Sequence, residues 1–151
     1  MTADDRPNRR EVATALTIAG SDPSGGAGLQ ADLKTFHQHG VYGMAAVTLL
    51  TVQNTESVYR VEVQRPDFVA EQIARVVSDI PPNAAKTGAL GNREVIEVVI
   101  ESAQRFAFPL VVDPVMMSKH GAPLLDRSAS EAVHRLLRHA FLVTPNVFEA
   151  E

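Results

Sequence analysis

The chain has 151 residues, 45% of them hydrophobic and 21% charged, and a net charge of −4, which suits one globular domain with a sizeable core. The acidic balance argues against a general nucleic-acid or anionic-membrane binder. The lack of cysteine excludes disulfides, thiolate metal sites and thiol nucleophiles, no stretch has the length and apolarity of a membrane span, and a cytoplasmic location is expected.

Residues 1–12 mix acids and arginines without an apolar core, so they resemble neither a secretory signal nor a transit peptide. They are expected to be a disordered lead-in to a domain over 13–151. "ALTIAG" (15–20) is an apolar run suited to a buried strand. "GLQADLKTFHQHG" (28–40) places Leu29, Leu33 and Phe36 on one helical face, with Gly40 as its stop. "GMAAVTLLTVQ" (43–53) reads as a second buried strand, and "SVYRVEVQ" (57–64) alternates as a short exposed strand or arm.

Pro66 then opens a helix carrying Phe68, Val69, Ile73, Val76 and Val77 at helical spacing. "NAAKTGAL" is a short, weakly marked strand, and 92–106 is a helix capped by Asn92. "PLVVDP" (109–114) is a strand closed by Pro114, and Ser128 and Glu131 stand at capping-box spacing before another helix. "FLVTPN" (141–146) is the last strand. Strands alternating with helices of this length predict α/β architecture with a mostly parallel sheet. A doubly wound sheet ends on a packed element, so the chain is expected to be the front part of something longer, cut after about the fifth strand.

Each strand is followed by a polar or Gly/Pro cluster: "SDPSGGAG", "VQNTES", "KTGAL", "DPVMMSKHGA" and "TPNVFEAE". Ligands bind open α/β sheets outside the carboxyl ends of the strands, so these clusters predict one small-molecule crevice. "GAGLQA" (26–31) also fits the dinucleotide fingerprint. That motif calls for an acid at the end of the second strand to hold a ribose. Gln53 and Asn54 stand there instead, which counts against a dinucleotide-binding oxidoreductase. No phosphate loop is present, since Lys86-Thr87 has no glycine at the required place before it.

Gln53 offers an acceptor and a donor, so it can read a ring nitrogen beside an amino group, or it can simply be a solvated amide. Asp32 is either a site residue or a solvated acid favoured by the helix dipole. Asp22, before Pro23, reads as a turn former. Asp113, held at a strand end by Pro114, is read as a carboxylate tuning a metal or phosphate site. Asn146 and Glu149, three apart, offer hard oxygen ligands suited to magnesium. Of the five histidines only His120 falls in one of these loops, and Met116-Met117 reads as core filling.

"ALTIAGSDPSGGAGLQADLKTF", "VQNT", "KTGAL", "DPVM" and "TPNVFEA", in this order, closely resemble the hydroxymethylpyrimidine/phosphomethylpyrimidine kinases of thiamine biosynthesis, in the ribokinase-like superfamily. The resemblance runs from about Ala15 to the end. It implies a three-layer α/β/α fold, ATP as co-substrate, Mg2+, and successive phosphoryl transfers to a pyrimidine alcohol and its monophosphate. It also implies that Gly20, Ala27, Asp32 and Gln53 line the aminopyrimidine pocket, with Val115 as an apolar wall. Asp113, Asn146 and Glu149 would lie towards the ATP phosphates and magnesium. A homodimer is the common assembly of such kinases.

Ala89 departs from the pattern, because many members carry a methionine there against the ring, and this enlarges the expected pocket. Members also continue well beyond the matched motifs, and that further part carries the glycine-rich anion hole, the residue activating the hydroxyl and most of the adenine pocket. No catalytic base is therefore assigned in this chain. Three other readings stay open: a pyridoxal-type kinase, a non-catalytic pyrimidine-binding remnant, and the dinucleotide oxidoreductase.

Overall fold

In strand β1 (Thr14–Ser21) every residue from Ala15 to Gly20 is buried, the pattern of a strand covered on both faces. The computed structural model describes residues 12–116, 129–147 and 149, and places β1 inside a six-stranded sheet. The expected lead-in lies, but for Val12, outside the described residues. Helix α1 (Gly28–Gln38) follows β1 and ends where Gly40 adopts φ +71°, a left-handed conformation suited to glycine just past a helix. Strand β2 (Tyr42–Gln53) then pairs parallel with β1.

Strand β3 (Val58–Val63) turns back antiparallel on β2. The segment read as a strand or arm is thus a full sheet member, and the sheet has six strands where about five were expected. Helix α2 (Pro66–Asp79) starts with its proline in the first turn and buries Val69 and Ile73. Strand β4 (Ala84–Thr87) joins the other side of β1, and helix α3 (Arg93–Ala103) begins at Asn92, whose side chain accepts from the Val95 N–H at 2.9 Å. Helix α3 stops three residues short of the expected 106, and the chain beyond it folds so that the rings of Phe106 and Phe108 stack 4.5 Å apart.

Strand β5 (Leu110–Val112), helix α4 (Ser130–Leu137) and strand β6 (Leu142–Val143) complete the order. Helix α4 has Ala129 as its N-cap, in a helical conformation and with no side-chain cap bond, and the expected capping box turns on Ser128. Ser128 itself lies outside the described residues, as do Met117 and His120.

The sheet order is β3-β2-β1-β4-β5-β6, with only β3 antiparallel. Helix α1 packs on β1 and β2, while α2, α3 and α4 pack side by side on the opposite face. There, Val69 and Ile73, Val95, Ile96, Val99 and Ile100, and Ala132, Val133 and Leu136 join Leu16, Ile18 and Val112 of the sheet in one core. The chain runs outward from β1 in one direction and returns to β4 on its other side. The crevice of such a sheet opens between those two strands at their carboxyl ends.

One non-local contact keeps β2 in place where β3 does not reach. Val47 precedes the first β3-paired residue, Leu49, and the Gln72 side chain of α2 meets it instead, accepting from its N–H at 3.0 Å and donating to its carbonyl at 3.1 Å. Gln72→Ala leaves both groups unpaired and is expected to cost about 2 kcal/mol, lowering the melting temperature by roughly 6 °C. A change below a degree in calorimetry would show the bridge to be idle.

Candidate active site

The carboxyl ends of β1, β2, β4 and β5 enclose a cavity of about 340 Å³. Gly20, Ala27, Asp32, Gln53, Ala89 and Val115 all line it, together with Asp113. Asn146 and Glu149 are not among the lining residues. The first loop is organised by Asp22, which is almost fully buried. Its carboxylate accepts from the Ser24 N–H (2.8 Å) and hydroxyl (2.6 Å), the Gly26 N–H (3.1 Å) and the Ala27 N–H (2.8 Å). Burial opposes its charge, but these bonds, with the nearby Gln53 amide, outweigh burial and hold its carboxyl below the ordinary value. Asp22 is a turn former, as expected, and its charge is the peg on which the loop hangs.

Helix α1 closes the loop from the other side. Gln30 accepts from the Asp22 N–H at 2.8 Å and donates to the Ser21 hydroxyl at 2.7 Å. Gly28 adopts φ +57°, and a Cβ there would lie 2.4 Å from the Gly20 carbonyl oxygen. The glycines of the loop therefore serve its own closure as well as any ligand. Across the cavity the Thr48 hydroxyl donates to the Ala89 carbonyl at 2.6 Å, fixing the backbone of that loop.

Asp32 is not a solvated acid. Its carboxylate accepts from the Thr17 hydroxyl at 2.6 Å and from the Lys86 ammonium at 3.0 and 3.1 Å, with both charged side chains largely buried. Lys86 also lies 3.9 Å from Asp113. Lys86 was not singled out as a site residue: "KTGAL" was read as a strand-end cluster, and its lysine only as part of a phosphate loop. The available signal was a lysine inside a short, otherwise apolar strand, a position that demands a counter-charge. Burial pushes the Asp113 carboxyl up; Lys86 opposes this, and the charges of Glu149 and Asp32 add to it. Added positive charge would be favourable there.

Asn146 and Glu149 bind each other's backbone: the Asn146 N–H donates to the Glu149 carboxylate and the Glu149 N–H to the Asn146 side-chain oxygen, both at 3.0 Å. This is the reciprocal geometry of a capping box, a role the spacing argument for magnesium overlooked. Among the described residues no three His, Cys, Asp or Glu side chains gather to hold a metal. Magnesium needs only one or two carboxylates when phosphates complete its shell, so Asp113 and Glu149 fit that lesser part. No helix among the described residues is long and apolar enough to cross a membrane.

The family model for phosphomethylpyrimidine kinase matches residues 22–151. The chain belongs to the phosphomethylpyrimidine kinase family. It is 49% identical over 141 residues to a hydroxymethylpyrimidine/phosphomethylpyrimidine kinase of Synechococcus elongatus, covering 93% of this chain and 54% of that one. The Escherichia coli enzyme of the same description is 50% identical over 141 residues, covering 90% and 52%. The chain thus spans about half the length of the curated relatives it matches. Among solved structures, phosphomethylpyrimidine kinase from Clostridium difficile superposes with a TM-score of 0.85 at 47% identity, over 92% of this chain and 61% of that one. A Staphylococcus aureus pyridoxal kinase in complex with AMP-PCP and pyridoxal gives 0.79 at 39%, over 92% and 50%. The fold is accordingly the ribokinase-like α/β/α arrangement, and the family is one of phosphotransferases, which leaves the dinucleotide oxidoreductase without support.

Proposed function

We propose that the cavity is the substrate side of an ATP-dependent kinase acting in the cytoplasm on 4-amino-5-hydroxymethyl-2-methylpyrimidine and on its monophosphate, in thiamine biosynthesis. The observation that carries this reading is Gln53, a neutral amide lining a cavity built from four strand ends. It can present an acceptor and a donor to the ring nitrogen and exocyclic amine. Gly20 and Ala27 leave room for a flat ring, Val115 gives an apolar wall, and Asp32 contributes from a fixed position.

The first transfer carries a phosphoryl group from ATP to the hydroxymethyl oxygen: the new P–O bond forms there, the bond to ADP breaks, and the hydroxyl proton leaves to a base. The second carries one to a phosphate oxygen of the monophosphate, where a P–O bond likewise forms as the bond to ADP breaks. Catalysis of this kind is mostly positioning and charge stabilisation. Magnesium bound with ATP would neutralise phosphate charge, and Asp113 and Glu149, with Asn146 ordering Glu149, would face it. The base and the anion hole belong, by resemblance, to the part of the relatives that the match does not cover.

A second reading, phosphorylation of pyridoxal, is favoured by Ala89, whose small side chain leaves the cavity wide. Exposed Leu50 and Val52 support an assembled state, which we read as a homodimer. Gln53→Leu is expected to weaken binding of the hydroxymethylpyrimidine at least tenfold, about 1.4 kcal/mol, in a variant that still unfolds cooperatively. Equal affinity of variant and wild type in calorimetric titration would remove Gln53 from the recognition of the ring.

A further inference from the structure

Among the described residues Lys86 is the only cationic side chain lining the cavity. Its ammonium sits against both carboxylate oxygens of Asp32, 3.1 Å from Oδ1 and 3.0 Å from Oδ2, with the two side chains only 23% and 16% exposed. Oδ2 also accepts from the Thr17 hydroxyl at 2.6 Å. A carboxylate oxygen has two lone-pair sites, so Oδ2 is filled and Oδ1 keeps one. The ammonium has three N–H donors, of which Asp32 takes at most two. Asp113, at 3.9 Å, lies beyond hydrogen-bond reach of the third. Gly88, which also lines the cavity, leaves the ammonium uncovered on its side: a Cβ there would stand 3.6 Å from the Lys86 Nζ. The pair thus offers the cavity an acceptor and a donor side by side.

We infer that Lys86 is a substrate-binding residue whose ammonium donates to the oxygen of the hydroxymethyl group, while Asp32 Oδ1 accepts from the neighbouring amine. The inference deepens the pyrimidine-kinase reading above and rests on it. In that pyrimidine the amino and hydroxymethyl groups stand on adjacent ring carbons, a donor beside an acceptor. The amine has two N–H groups, one for Gln53 on the side of the ring nitrogen and one for Asp32 on the other. Lys86 engages a lone pair of the hydroxyl and leaves its proton free to depart. It thereby fixes the oxygen that receives the phosphoryl group. A ligand that fills the cavity without an oxygen at this point leaves a charged donor unpaired, which costs affinity.

Calorimetric titration of the full chain with the hydroxymethylpyrimidine, and with its analogue carrying methyl in place of hydroxymethyl, tests this. The ratio of the two affinities cancels a general loosening of the site. Wild type should prefer the alcohol at least about tenfold. Lys86→Met should bring that preference to within about threefold. Gly88→Ala keeps every charge but covers the ammonium with a methyl group, at the cost of easing a 3.0 Å contact with the Ala19 side chain. It should narrow the preference equally, and it decides alone if Lys86→Met does not fold. A wild-type preference that survives in the folded variants would overturn the role of Lys86 and leave the pyrimidine reading standing. Equal wild-type affinity for the two ligands would overturn the grip on the hydroxyl. A wild type that binds neither would overturn the reading itself and this role with it.

Discussion

Lys86→Met is expected to cost the protein about 3 kcal/mol near neutral pH, more than a surface ion pair could account for. The ammonium lies between Asp32, at 3.0 Å, and Asp113, at 3.9 Å, and its side chain is only 23% exposed. Methionine fills similar space but leaves two carboxylates facing each other, with Thr17 as the remaining donor to Asp32. The loss should depend on pH in a defined sense. Asp113 already holds its proton more tightly than an ordinary carboxyl, and Lys86 is what restrains this. Removing Lys86 raises that pKa further. A carboxyl whose folded pKa lies above its unfolded one penalises folding once the pH exceeds the folded value, and does not below the unfolded value. The deficit should therefore be largest at neutral pH and shrink as the pH falls through the carboxylate range. Denaturant unfolding of wild type and variant at several pH values reads this. Asp32→Asn in the Lys86→Met background should recover much of the loss, whereas a pH-independent deficit would point to packing alone.

Gly28→Ala is expected to be comparably damaging for a different reason. At φ +57° an L side chain costs roughly 1–2 kcal/mol, and here its Cβ would also stand 2.4 Å from the Gly20 carbonyl oxygen. The contact is with backbone, so β1 and α1 must separate for any side chain to fit. A loss of about 3 kcal/mol follows, with a fall in melting temperature of roughly 9 °C. Gly26→Ala is the control: nothing but the Asp22 carboxylate, 3.8 Å away, meets a Cβ there. Its cost should stay within about 0.5 kcal/mol. Equal effects at the two positions would mean that the loop is not closed in this way.

The fold was legible where its signals are local. Pro66 at a helix start, Asn92 as a cap and Gly40 past a helix end each act through their own backbone and their neighbours in sequence, and each did so here. The convergence of the strand-end clusters was legible too, because parallel strands carry their carboxyl ends to one side. What escaped was contact between distant segments. Lys86 finds Asp32 only because β4 lies beside β1, with Lys86 in register with Thr17, and Gln72 finds Val47 only because α2 crosses β2. The spacing of Asn146 and Glu149 shows a further limit: it suits a local cap as well as a metal site, and the cap bonds are present in the structure. Strand β3 alternates, but with only its inner face half-buried the same pattern suits a sheet member and an exposed arm.

The central claim is that the cavity at the carboxyl ends of β1, β2, β4 and β5 recognises a hydroxymethylpyrimidine. Calorimetric titration of the chain with that pyrimidine, with pyridoxal and with NAD tests it most directly. We expect saturable binding of the pyrimidine, weaker binding of pyridoxal, and none of NAD. Saturable binding of NAD with no response to the pyrimidine would contradict the account.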